Sequence, residues 1–223
     1  DTRCSMNVVA DNGYVTEILE PGPEIRPEER LVFLGKYREL IRRCDLVVLS
    51  GSVAPGLSQE IYGQLIGIAK DAGKKAILDT SGEGLVKGIE AGPWLVKPNR
   101  KELEYVVGHK CRSQGELLDA ARQMLRNQIE WAAVSVGEKG MYLVGKDSAL
   151  FAAAPKVDAV NTVGCGDSAC AAFAISALRE EDMEQMLRRA VAMSAANAST
   201  LESGSVPLKL AEDLMHQIEI VRI

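Results

Sequence analysis

Histidine is almost missing from this sequence: His109 and His216 are the only two among 223 residues. Each has polar, surface-type neighbours, so neither reads as a catalytic base or a metal ligand. General-base chemistry therefore falls to a carboxylate. The five cysteines, Cys4, Cys44, Cys111, Cys165 and Cys170, make an odd number, and no CxxC pair with zinc spacing occurs. Reduced thiols fit this pattern better than a disulfide framework or a zinc site. No apolar run approaches the ~20 residues that span a bilayer. The opening DTRCSMN has no signal-peptide h-region, so the expected setting is cytoplasmic and no membrane partner is expected. A net charge of −5 from 26 basic and 31 acidic residues argues against a nucleic-acid-binding surface. Two nucleotide fingerprints are absent as well: no Gly-Lys-Ser/Thr completes a Walker A loop, and no GxGxxG spacing is found.

With 47% of residues hydrophobic, the chain can build one sizeable core. CSMNVVADNGYVTEIL reads as two strands around a turn at Asn12 and Gly13. A Pro- and Glu-rich link follows, then a helix over Glu28 to Arg43, with Leu31, Leu34, Tyr37, Leu40 and Ile41 on one face. DLVVLSGS reads as a buried strand. The spacing predicts a helix from Ser58 to Ala72 with Ser58 as N-cap. KKAILDTSG and WLVKPN are further strands, with helices over Arg100 to Val107 and Gln114 to Asn127. WAAVSVGEKG is a strand into a glycine loop, and MYLVGKDSALFAA a hairpin. Helices are expected over Asp167 to Leu178, Met183 to about Leu201, and Leu208 to Glu219. Such alternation predicts an α/β fold with a mainly parallel sheet covered on both faces. Functional residues then belong at the carboxyl ends of strands. Five strings lie there: SGSVAPG, DTSGE, KPNRKE, SVGEKG and VGCGD.

The strings carry definite chemistry, each beside a plainer reading. Gly164-Cys165-Gly166-Asp167 heads a helix, whose free N–H groups and dipole suit phosphate or developing negative charge. Asp167 at that mouth can accept a hydroxyl proton, or it can be only an N-cap after a tight turn. Ser135-Val136-Gly137-Glu138-Lys139-Gly140 can cradle nucleotide phosphates, or simply turn a hairpin. Lys97 can meet a phosphate as a point charge. Asn99 and Glu102, three apart, can organise a water-rich Mg²⁺ shell or form a capping box.

Taken in order, TRCSMNV, TEILEPGPEI, SGSVAPG, LVKPNRKEL, AVSVGEKGMYLV and NTVGCGDSACAAF resemble the ribokinase-like (PfkB) carbohydrate kinases, and within them the sugar-phosphate branch. The last string is similar to the family signature D-T-x-G-A-G-D, with Asn161 for the first Asp and Cys165 for Ala. The resemblance implies a ribokinase-like three-layer α/β/α fold. It implies ATP-dependent, Mg²⁺-dependent phosphoryl transfer to a ketohexose phosphate. Fructose 1-phosphate is the first choice, with tagatose 6-phosphate or fructose 6-phosphate as alternatives. It makes Asp167 the base and the N–H groups of Gly164, Cys165 and Gly166 the anion hole. Ser135 to Gly140 and Lys97 belong to the ATP site, with Asn197 near the adenine. Asn99 and Glu102 act on Mg²⁺ through water. Arg3 holds the phosphate already on the sugar, and Ser52 lies near that substrate. For Arg3 the bare alternative is a solvated charge. Rival functions are a non-catalytic nucleotide-binding fragment and a Rossmann-type dehydrogenase, the latter disfavoured by the missing fingerprint.

Measured against the family pattern, the N-terminal strands and much of the β lid are missing. Residues 1–20 read as the lid's remnant and its return, and 21–223 as the ATP-binding and catalytic part. The expectation is a C-terminal fragment lacking roughly the first third, with exposed apolar edges. Alone it is expected to be poorly active; the full-length protein is expected to form a homodimer through the lid. Cys165, at a helix start, is read as a small residue in an alanine position rather than as a redox thiol. Cys165→Ala, which keeps the backbone N–H, should therefore leave turnover of the complete enzyme nearly unchanged in a steady-state assay, and a collapse in rate would make the thiol functional.

Overall fold

In this computed structural model, residues 3–9 and 15–223 are described. The turn expected at Asn12 and Gly13 lies outside them. The strands on either side are present, β1 (Ser5–Val9) and β2 (Val15–Leu19), paired antiparallel from Ser5–Leu19 to Val9–Val15. They form a ribbon separate from the main sheet.

The main sheet contains seven strands among the described residues: β3 (Leu46–Ser50), β4 (Lys75–Asp79), β5 (Leu95–Val96), β6 (Trp131–Ser135), β7 (Met141–Val144), β8 (Ala149–Ala152) and β9 (Ile220–Arg222), in that spatial order. From β3 to β6 the pairs are parallel; from β6 to β9 they are antiparallel. The expectation of a mainly parallel sheet thus holds for its core. The carboxyl ends of β3, β4, β5 and β6 share one edge, as parallel pairing requires.

Alternation along the strands produces the layers. In β4, Ala76 and Leu78 face one core cluster while Ile77 between them faces the other. On the first face lie α1 (Pro27–Leu40), α2 (Ile61–Asp71), α3 (Gly82–Glu90), α4 (Arg100–Val107) and α5 (Gln114–Met124), contributing Leu34, Tyr62, Leu65, Leu85, Leu103 and Leu117. On the second lie α6 (Cys165–Leu178), α7 (Met183–Ala198) and α8 (Leu208–Met215), with Phe173, Leu187, Val191 and Leu214. The result is a three-layer α/β/α fold. No helix among the described residues is long and apolar enough to cross a membrane.

Several boundaries differ from expectation. Helix α2 begins at Ile61, after a turn, so Ser58 is not its N-cap; the Ser58 hydroxyl instead accepts from the Glu60 N–H at 3.2 Å. Helix α6 begins at Cys165, which makes Gly164 the N-cap and places Asp167 in the first turn. Helix α7 stops at Ala198, and α8 stops at Met215, four residues short of the expected Glu219; strand β9 follows at Ile220 and was not anticipated. Helix α3 went unrecognised because three glycines stand among its nine residues, and glycine is a poor helix former. Packing explains two of them: a Cβ at Gly88 would lie 2.5 Å from Leu78 Cδ2, and one at Gly84 3.0 Å from Val53 Cγ2, whereas Gly82 takes φ +60° with open space around it. Helix α3 buys its close approach to the sheet with helix propensity.

At the sheet's carboxyl edge, Lys97 just beyond β5 meets Asp79 at the end of β4, Nζ to Oδ2 3.0 Å, with only 7% and 17% of the side chains exposed. Burial alone would lower the Lys97 pKa. The Asp79 charge, with Cys170 and Glu102, outweighs it, and the net displacement is upward. Lys97 therefore stays charged, and Asp79 keeps it so. Asp79→Asn leaves that ammonium buried and unpaired, and should destabilise the fold by about 3–5 kcal/mol, read as a lower midpoint in urea unfolding.

Candidate active site

Three of the five strings meet around the start of α6. Gly164 adopts φ +84°, and a Cβ there would lie 2.5 Å from the Gly204 N, so only glycine fits both the conformation and the space. Asn197 of α7 holds this turn from behind. Fully buried, it donates through Nδ2 to the Val163 carbonyl at 2.9 Å and to Cys165 Sγ at 3.3 Å, and accepts from Ser168 Oγ at 3.3 Å. Asn197 is fully buried with its amide spent on the turn, while its helix neighbours Ala195 and Ala198 line the groove. Asn161 ties the approach to the same region, donating to the Leu201 carbonyl at 2.9 Å and accepting from the Val163 N–H at 3.0 Å.

The N–H groups expected to form an anion hole differ in their partners. The Cys165 N–H donates to the Thr162 carbonyl at 3.3 Å, whereas the N–H groups of Gly164, Gly166 and Asp167 have no acceptor among the described residues. Asp167 itself is exposed and accepts one hydrogen bond, from Ser50 Oγ to Oδ1 at 2.9 Å. Gly166 lies against the buried pair: a Cβ there would sit 3.2 Å from Lys97 Nζ and 3.5 Å from Asp79 Oδ2. Lys97 is thus a buried, neutralised cation beneath the helix start. Asp79 was not singled out by sequence reading, although its string DTSGE was placed on this edge; an acid at the end of a central parallel strand was the available signal. It also accepts from Cys170 Sγ at 3.5 Å, and burial, with the Asp79 charge next, pushes that thiol far up.

Asn99 and Glu102 form the capping box: Asn99 Oδ1 accepts from the Glu102 N–H at 3.0 Å, and Glu102 Oε2 from the Asn99 N–H at 2.8 Å. Burial raises the Glu102 pKa, and the nearby Asp79 charge adds to it. No basic side chain among the described residues forms an ion pair with Glu102. A half-buried carboxylate with one oxygen uncommitted, beside a second carboxylate, suits a cation that brings its own waters.

A groove of about 1490 Å³ opens beside the α6 start. Lys97, Ser135, Gly137, Glu138, Lys139, Gly140, Cys165 and Gly166 line it. Val136 does not; it precedes the short 3₁₀ turn Gly137–Lys139. Sequence reading missed the facing wall, made by residues 154–160 and by Ser194, Ala195 and Ala198 of α7. Small residues at one-turn spacing were the signal, but the same stripe serves tight packing equally well. Asn99 and Ser135 form a parallel bridge, and the Ser135 N–H donates to the Pro98 carbonyl at 3.0 Å, which joins the KPNRKE and SVGEKG strings. Across the edge, Arg3 Nη1 donates to Ser52 Oγ at 3.2 Å, uniting two residues separated by 49 positions.

Comparison with known proteins agrees with this architecture. The pfkB family carbohydrate kinase model matches residues 4–209. A tagatose-6-phosphate kinase from Staphylococcus epidermidis is 31% identical over 218 residues, covering 96% of this chain and 70% of that protein. Phosphofructokinase-2 from Escherichia coli, solved with potassium, superposes with a TM-score of 0.87 at 26% identity, over 97% of this chain and 71% of that one. The same protein has been solved with fructose-6-phosphate and as a tetrameric inhibited form. A possible 1-phosphofructokinase from Thermotoga maritima gives a TM-score of 0.89 at 20% identity, over 99% and 71% of the two chains, a likeness of fold alone. A family match running through nearly the whole chain, on a three-layer fold with its polar strings gathered at one sheet edge, makes this chain a member of the pfkB family of carbohydrate kinases.

Proposed function

We propose that the chain carries the ATP-binding and catalytic part of a kinase that phosphorylates a ketohexose phosphate. The observation that carries this reading is Asp167: an exposed carboxylate in the first turn of α6, beside the acceptor-free N–H groups of Gly164 and Gly166. Phosphoryl transfer asks for positioning and charge stabilisation rather than covalent chemistry. Asp167 takes the proton of the acceptor hydroxyl as its oxygen bonds to the γ-phosphorus and ADP departs. The N–H groups at the helix start face the transferred phosphoryl group. Ser135 and the Gly137–Lys139 turn border the nucleotide groove. Lys97, paired with Asp79, adds a fixed dipole beneath the helix start rather than a free charge. Asn99 and Glu102 would hold Mg²⁺ through water. Bound there, the metal would neutralise phosphate charge.

Arg3 and Ser52 are assigned to the phosphate already on the sugar, because a guanidinium fork suits a phosphate. Residues 1–20 are assigned to a lid over that substrate and 21–223 to the catalytic part. The link that follows the ribbon packs on the SGSVAPG loop through the Ile25 N–H and the Pro55 carbonyl, 2.8 Å apart. Exposed Met6, Val8, Ile18 and Leu19 on the ribbon suit a homodimer through the lid. The expected setting remains the cytoplasm. The names of the relatives above 25% identity favour a ketohexose 6-phosphate. Fructose 1-phosphate, the first choice from sequence, is the second reading, since the comparison that favours it bears on fold alone.

ADP release by the complete enzyme, measured against fructose 6-phosphate, tagatose 6-phosphate, fructose 1-phosphate and the unphosphorylated sugars, tests the reading. One of the phosphates should be turned over at least a hundred-fold faster than its parent sugar, and Asp167→Asn should lower kcat by roughly 10²–10⁴. Near-normal kcat in Asp167→Asn would remove the base assignment, and turnover of unphosphorylated sugars alone would remove the sugar-phosphate branch.

A further inference from the structure

Ser50, the last residue of β3, supplies the only hydrogen bond that reaches the Asp167 side chain among the described residues. Both side chains are exposed. A solvent-exposed pair holds one geometry only where the backbone on each side is pinned, and here both sides are. Asp167 is set by the turn that Asn197 clamps. Ser50 is set through its neighbour Gly51. The Gly51 carbonyl accepts from Thr80 Oγ1 at 2.6 Å and from the Tyr62 hydroxyl at 2.7 Å, and the Gly51 N–H donates to the Asp79 carbonyl at 3.0 Å. The Tyr62 hydroxyl also lies 3.2 Å from the Ser50 carbonyl. Thr80 and Tyr62 are themselves buried, 5% and 8% exposed. Strand β4 with Thr80 beyond it, and helix α2, thus hold both peptide units that flank Gly51, and the result is a fixed hydroxyl at the end of β3.

We propose that Ser50 is a positioning residue for phosphoryl transfer, holding Asp167 Oδ1 so that Oδ2 is presented to the acceptor hydroxyl. The inference rests on Asp167 being the base. The last torsion of an aspartate is broad and roughly two-fold, so a carboxylate without a partner samples orientations in which neither oxygen is aligned. One donor on Oδ1 narrows that range, and no protein donor competes for Oδ2 among the described residues. As the acceptor oxygen bonds the γ-phosphorus and the bond to the ADP oxygen breaks, the hydroxyl proton passes to Oδ2 while Ser50 remains on Oδ1. Ser50 is assigned no contact with either substrate's phosphates, so its loss falls on kcat rather than KM.

The same tripeptide supplies an internal control. Ser52, two residues on, meets Arg3, which is assigned to the sugar's phosphate. A change that merely displaced the loop would disturb this arm and raise KM for the sugar phosphate. Ser50→Ala, Ser50→Thr and Asp167→Asn are compared in the purified enzyme with MgATP and whichever of fructose 6-phosphate, tagatose 6-phosphate or fructose 1-phosphate is turned over. Ser50→Ala is expected to lower kcat roughly ten- to a hundred-fold, the worth of a hydrogen bond to a charged group, with KM for both substrates within about two-fold of the parent. Ser50→Thr, which restores the hydroxyl in a residue suited to a strand end, should recover most of the loss. Parental kcat in Ser50→Ala beside an inactive Asp167→Asn overturns the inference and leaves the base reading standing. A raised sugar-phosphate KM with unchanged kcat overturns it too, by making Ser50 a loop-packing residue. Near-normal kcat in Asp167→Asn removes the base reading and this inference together.

Discussion

The site depends on one buried amide. Asn197 reaches from α7 into the back of the Val163–Cys165 turn and satisfies three groups there, the Val163 carbonyl, the Cys165 thiol and the Ser168 hydroxyl. A buried amide with its bonds made is highly directional, because any displacement leaves polar atoms dry and unpaired. The turn can therefore take one position only, and the absence of a Cβ at Gly164 lets it lie against Gly204. From that fixed point follow the direction of α6, the outward N–H groups of its first turn and the place of Asp167.

Electrostatics at the sheet edge divide into a neutral part and a charged part. Asp79 and Lys97 neutralise each other in a nearly dry setting, so the pair contributes a stiff dipole and little net field. Glu102 has the Asn99 N–H on one oxygen only and no ion-pair partner among the described residues, and Asp167 faces open space. The edge thus presents two available carboxylates near a helix start that favours anions.

Local chemistry was readable wherever it depended on adjacent residues. The glycine and aspartate of VGCGD, the Asn99–Glu102 spacing and the strands before SGSVAPG, KPNRKE and SVGEKG were all visible as strings, since caps, turns and strand ends are written in a few consecutive letters. Elements whose logic was distant were not. Gly88 and Gly84 of α3 are explained by Leu78 and Val53 rather than by their own segment. Strand β9 is a three-residue edge that only pairing with β8 defines. The N-cap of α6 is Gly164 rather than Asp167, three residues earlier, because Gly164 takes the left-handed turn.

What the sequence determined by itself was the class of fold, the edge on which chemistry gathers and the residue types that gather there. Periodicity and punctuation are local, and six ordered strings outweigh any single one. Tertiary structure decided which of those residues touch. It brought Ser50 to Asp167 across 117 positions and Arg3 to Ser52 across 49, turned Lys97 from a free cation into a buried partner, and set Asn197 behind the turn it holds. Contacts of that range depend on strand order and helix packing, which no run of adjacent residues encodes.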